Sequence, residues 1–126
     1  MPPSPIRVFH CDDSAAFTRL VRHWLGEHPD LEHVGDALTG AEALARLPEA
    51  RADVVLLDTM GNPGGSALVA AIREVAPHAR VIVYSGYVPL AGRDMLENGA
   101  DAYLAKGDDE QALVRAIRAV FAREAA

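Results

Sequence analysis

Apolar and polar positions fall into short blocks along the chain, and the blocks predict a regular order of elements. Residues 6–11 (IRVFHC) are an apolar run broken only by Arg7, the pattern of a buried strand. Asp12, Asp13 and Ser14 are turn and N-cap types. Phe17, Leu20, Val21, Trp24 and Leu25 then keep helical spacing on one face, until Gly26 and Pro29 end that helix. Residues 33–37 predict a short edge strand. Thr39-Gly40-Ala41-Glu42 has the form of a capping box, with Leu44 and Leu47 as the apolar stripe behind it and Pro48 as the stop. Residues 53–57 (DVVLL) and 80–84 (RVIVY) carry unbroken apolar runs, as central parallel strands covered on both faces do. Between them Ser66 predicts the cap of a third helix that turns Leu68, Val69 and Ile72 inward. Residues 89–98 predict a short fourth helix with a left-handed stop at Gly99. Residues 102–105 are the last strand. Asp108, Asp109 and Glu110 form an acidic first turn for a final helix, whose apolar face is Leu113, Val114, Ile117, Val120 and Phe121. Five strand–helix repeats of this kind imply an α/β fold: a parallel sheet with helices on both sides and right-handed crossovers.

Length and composition narrow the picture. The chain has 126 residues, half of them hydrophobic, enough for one domain with a full core. Residues 1–5 read as a disordered lead-in and residues 122–126 as a C-terminal tail around that single domain. The net charge of −6 argues against sequence-independent nucleic-acid binding and against an anionic membrane surface, because both need a basic face. No stretch reaches the length of a membrane-spanning helix. The single cysteine, Cys11, excludes a disulfide framework within the chain, and with no signal segment the reading is a cytoplasmic protein.

Chemistry collects at the strand ends. In an open parallel sheet, ligands sit beyond the carboxyl ends of the strands. There the sequence places Asp12 and Asp13 after the first strand, Asp58 after the third, Ser85 and Gly86 after the fourth, and Lys106, the only lysine, after the fifth. Three carboxylates brought together repel, and a hard divalent cation with oxygen ligands, most simply Mg²⁺, removes that cost. With Lys106 it leaves a pocket able to accept a phosphoryl group. Asp58 can then act as a nucleophile, and Ser85 can donate a hydrogen bond to the phosphoryl oxygens. His10 and Cys11 do not read as a transition-metal site, since Zn²⁺ needs more nitrogen and sulfur ligands and strand alternation puts the two on opposite faces. His23, His28, His33 and His78 read as surface residues.

Four pieces in order (HCDDS, VVLLD, VIVYSGY and AYLAKG) resemble the receiver domain of two-component response regulators, over residues 6–121. PDLEHVGDA, TGAEAL, GADAYLAK and LVRAIRAV are similar to the subfamily whose receiver precedes a helix-turn-helix DNA-binding domain. The resemblance implies a flavodoxin-like sheet of order 2-1-3-4-5. It implies Asp58 as phosphoacceptor, Asp12 and Asp13 as ligands of Mg²⁺ (or Mn²⁺), and the Met60 carbonyl as a further ligand. It implies Ser85 and Tyr103 as a switch pair that alters the surface of the fourth helix, fifth strand and fifth helix. The implied partners are a sensor histidine kinase or small phosphodonor and a second copy, through that surface or the first and fifth helices. DNA is implied only through a separate C-terminal domain. Such a domain catalyses its own phosphoryl transfer and dephosphorylation but serves as a signalling module.

The chain departs from the family after Asp58. Thr59-Met60-Gly61-Asn62-Pro63-Gly64-Gly65 lacks the usual Met-Pro and is one residue short, and the interval from Ser85 to Lys106 is also one residue short. The resemblance implies that Met60 and Tyr87 flank the acceptor, where they would slow hydrolysis by shielding it. The altered loop motivates a second reading, a phosphate-independent interaction module. A third, a phosphohydrolase or nucleotide-binding enzyme, lacks a Walker loop and a G-x-G-x-x-G after the first strand. It also lacks a second acid two residues beyond Asp58, where Met60 stands.

Overall fold

The computed structural model describes residues 4–58, 65–85, 100–107 and 109–122. The predicted helix over residues 89–98, its stop at Gly99, and Met60, Gly86, Tyr87 and Asp108 lie outside them. The strands are β1 (Ile6–Cys11), β2 (Leu31–Ala37), β3 (Val54–Leu57), β4 (Arg80–Ser85) and β5 (Ala102–Ala105). The helices are α1 (Ala15–Gly26), α2 (Gly40–Ala50), α3 (Gly65–Val75) and a C-terminal helix (Glu110–Ala122). All the strands are parallel, in the order β2-β1-β3-β4-β5.

Strand alternation divides the apolar residues into two cores. Phe9, Cys11, Val55, Leu57, Val81 and Val83 point to one face, where Ala43 and Leu47 of α2 and Val69 and Ile72 of α3 cover them. Val8, Val54, Leu56, Ile82 and Tyr84 point to the other, under Val21 and Leu25 of α1 and Leu113, Val114, Ile117 and Val120 of the C-terminal helix. The unbroken runs of β3 and β4 follow directly, since both faces of each strand are buried.

Local polar residues set the helix starts. Ser14 caps α1, its Oγ accepting from the Phe17 N–H at 3.1 Å. Thr39 caps α2 in the same way through the Glu42 N–H, and Glu42 reaches back to the Leu38 N–H at 3.2 Å. Asp109 Oδ1 accepts from the Ala112 N–H at 2.9 Å at the head of the C-terminal helix.

Several expectations are corrected. Pro48 does not stop α2. It sits exposed in the last turn, where only one helical hydrogen bond is forfeited, and the helix runs on to Ala50 and ends at Arg51 in the left-handed conformation (φ 53°). The freed end is capped from β1: Arg7 Nε donates to the Arg51 carbonyl and its Nη2 to the Ala50 carbonyl, each at 2.9 Å. The polar interruption of the first apolar run is therefore a C-terminal cap for another element. Ser66 lies inside the first turn of α3, not ahead of it. Leu20 is 41% exposed because the buried stripe of α1 runs through Thr18, Val21 and Leu25. β2 begins two residues earlier than its weak pattern indicates, because Leu31 pairs with Ile6 and is buried beside it. His28 and His33 are half-buried, the first 2.9 Å from Glu110 Oε2 and the second 3.3 Å from Asp36 Oδ2, whereas His23 and His78 are exposed.

Candidate functional site

The site is built at the carboxyl edge of the sheet, where the chain leaves β1, β3 and β5. Backbone pairing carries each acid just past its strand: Asp12 N–H donates to the Ala37 carbonyl and Asp58 N–H to the Cys11 carbonyl, both at 2.9 Å. Adjacent β1 and β3 thus bring Asp12 and Asp58 side by side. Lys106, just past β5, reaches over β4. Its Nζ lies 2.7 Å from Asp12 Oδ2 and 2.7 Å from Asp58 Oδ2. The ammonium also stands 4.7 Å from the centre of the Phe17 ring, a cation–π contact that steadies the long side chain from below.

Asp12 is fully buried and Asp58 nearly so, while Asp13 is exposed. Asp12 Oδ1 accepts the Ser14 N–H at 2.9 Å. Neither aspartate caps α1, because Ser14 does. Burial pushes the Asp12 carboxyl up, but His10, Lys106 and the Ser14 N–H together hold it down to about 2. For Lys106, burial works against the charge, and the bonds to Asp12 and Asp58 overcome it to raise the ammonium above its ordinary value.

Asp12, Asp13 and Asp58 each offer a carboxylate oxygen, and these oxygens lie within 4.8 Å of one another. An all-oxygen, anionic donor set of this spread fits a small hard dication such as Mg²⁺. Among the described residues, no such cluster includes His10 or Cys11. The two side chains lie on opposite faces of β1, and the buried Cys11 thiol, 3.6 Å from the Thr39 carbonyl, is pushed by burial to about 12, which suits a small core residue.

Ser85 ends β4, its backbone paired with Ala105; its side chain lies outside the described residues. Tyr103 is half-buried against the core on the α2–α3 side, with its hydroxyl enclosed and without a hydrogen-bond partner among the described residues. Burial, then the nearby Asp58 charge, raises that hydroxyl's pKa.

Two neighbours of the site were not legible as such. His10 is fully buried with Nε2 3.5 Å from Asp12 Oδ2, and Phe17 underlies Lys106. Strand alternation does put His10 on the Val8 face, but nothing in a linear sequence places that face against α1.

The architecture is a doubly wound α/β module with an acidic cluster and a lysine at its strand ends, and comparison with known proteins names its family. Residues 8–118 match the response regulator receiver domain family, and the chain belongs to it. Among curated proteins it is similar to the DNA-binding transcriptional activator DevR/DosR of Mycobacterium tuberculosis. The two are 34% identical over 119 residues, covering 93% of this chain and 55% of that protein. The chain thus spans about half the length of that relative. Among solved structures it resembles the receiver domain of the regulator NarL from M. tuberculosis (TM-score 0.85, 30% identity, 94% of this chain and 98% of that one). It also resembles a response regulator from Burkholderia pseudomallei solved with a phosphorylated aspartic acid and a calcium ion (TM-score 0.77, 26% identity, 94% of this chain and 72% of that one).

Proposed function

We propose that residues 1–126 are a single phosphoacceptor receiver domain in which Asp58 takes a phosphoryl group from a sensor histidine kinase or a small phosphodonor. The observation that carries this reading is the placement of Lys106 Nζ at 2.7 Å from both Asp12 and Asp58. An ammonium there neutralises part of the charge that an incoming phosphate would otherwise meet.

In the transfer, a carboxylate oxygen of Asp58 forms a bond to phosphorus as the bond to the donor oxygen or nitrogen breaks. The donor leaves with that electron pair, as acetate in the case of acetyl phosphate. Asp12, Asp13 and Asp58, with the Met60 carbonyl that the family resemblance adds, would hold Mg²⁺ (or Mn²⁺), which would supply positive charge toward the phosphoryl oxygens. Lys106 and the Ser85 hydroxyl take the remaining oxygens. Water later attacks phosphorus, releases inorganic phosphate and restores the Asp58 carboxylate.

Ser85 and Tyr103 carry the change outward to the surface around β5 and the C-terminal helix, where a second copy or an output domain reads it. The enclosed hydroxyl of Tyr103, without a hydrogen-bond partner among the described residues, supports this role, because it gives up no bond to them by moving. DevR/DosR, 55% of which the chain spans, is a DNA-binding activator, which supports control of transcription as the output this reading favours. A cytoplasmic location accords with that role, and among the described residues no helix is long and apolar enough to cross a membrane.

Incubation with acetyl phosphate and Mg²⁺ is expected to add one phosphoryl group by intact mass, and Asp58→Asn to abolish it. An unlabelled chain that binds no Mg²⁺ and does not respond to beryllofluoride would instead favour the phosphate-independent module.

A further inference from the structure

His10 is the one residue in the otherwise apolar stretch of β1 beneath Asp12 that carries ring nitrogens, and it is fully buried. Its ring sits 5.9 Å from that of Phe17, edge to face, and 6.4 Å from that of Tyr84. Among the described residues, neither ring nitrogen has a hydrogen-bond partner within ordinary geometry. The polar atom facing it is Asp12 Oδ2, 3.5 Å from Nε2. A buried imidazole walled by aromatic rings is costly when nothing answers its polar atoms, and a leucine would pack the same space without that cost. The residue therefore has a use that packing does not explain.

We propose that His10 is a positioning residue for Asp12: with the hydrogen placed on Nε2, its imidazole aims a donor at the carboxylate oxygen that Lys106 also holds, and so fixes that carboxylate for the metal. Asp12 is then held at three points. The Ser14 N–H takes Oδ1, and Lys106 and His10 converge on Oδ2. The three differ in what they can do during transfer. Ser14 is backbone and does not choose between states. Lys106 is shared with Asp58, and under the proposed function it also turns to the phosphoryl oxygens. His10, locked between two rings, is the side-chain partner of Oδ2 that stays in place as Lys106 moves. Groups one step behind a metal ligand set its orientation and basicity in this way.

The inference rests on the metal reading above, and calorimetry separates the two. Mg²⁺ would be titrated into the unphosphorylated parent chain and its His10→Leu and His10→Gln variants, with thermal midpoints measured on the same samples. The parent is expected to bind. His10→Leu is expected to bind about ten-fold more weakly, with a thermal midpoint equal to or above the parent's. His10→Gln, which keeps a donor near the Nε2 position, is expected to recover most of the affinity. A weaker site in a more stable protein is an outcome that a merely packed histidine does not produce. Unchanged affinity in His10→Leu, with the parent binding normally, would overturn this inference and leave the proposed function intact. A parent that takes up no Mg²⁺ overturns the metal reading and the role of His10 with it. If His10→Leu folds poorly, His10→Met against His10→Gln makes the same comparison: equal affinities overturn the role, and a weaker His10→Met supports it.

Discussion

Lys106 and Asp12 shift each other in opposite directions, and that mutual shift is a stability statement. The Asp12 carboxyl is held at about 2 against an ordinary 3.8. Its contribution is therefore fully present above about pH 4 and is lost as pH falls toward 2. Lys106, raised above 10.5, contributes below that pH and loses its contribution as pH climbs past the raised value. Urea unfolding followed against pH should show a steeper loss between about pH 4 and about pH 2 in the parent than in Asp12→Asn. Parallel curves would remove the pairing from the account. At this scale the sequence was readable where a residue type is rare: a lone lysine and three acids, each after an apolar run, announce themselves. His10 and Phe17 were not readable as site residues, because a histidine in a strand and a phenylalanine on a helix are ordinary until the two elements are docked.

The elements position the site through register. β1 and β3 pair Cys11 with Leu57, so the next residue on each strand is the acid. Both strand ends were legible from where the apolar runs stop. What was not legible is how β2 meets β1. The register shifts between Val8 and Phe9, opposite His33 and Gly35, so Val34 is an extra residue in β2. Gly35 accommodates the shift by letting the Phe9 ring close over it: a Cβ there would lie 2.9 Å from Phe9 Cε2. Phe9 is itself 1% exposed and cannot swing away freely. Gly35→Ala should thus destabilise the fold by about 1–3 kcal/mol in urea unfolding, and a change within error would show that the ring yields. Arg7 teaches the same lesson. Its polar side chain reads as an interruption in a strand, while its partners are the carbonyls at the end of α2, more than forty positions away along the chain.

Two helical layers close over both faces of the sheet and leave the strand ends as the place where charge collects. The strand–helix alternation made this architecture legible, because unbroken runs in β3 and β4 require cover on both sides. The loop over residues 59–64 was legible only as a departure from its family. Three acids beside a single ammonium leave an excess of negative charge, so a dication that binds the folded state stabilises it. Mg²⁺ at a hundred times its dissociation constant should add about 2.7 kcal/mol, read as a rise in thermal midpoint, and Asp13→Ala should remove most of that rise. An equal rise in Asp13→Ala would place the ion elsewhere. The central claim is the identity of the phosphoacceptor, and chemical trapping tests it most directly. The chain would be treated with acetyl phosphate and Mg²⁺, reduced with borohydride, digested and sequenced by mass spectrometry. Reduction of an aspartyl phosphate leaves homoserine. The account predicts homoserine at position 58 and at no other aspartate; homoserine at Asp12 or Asp13, or a phosphate retained on another residue, would contradict it.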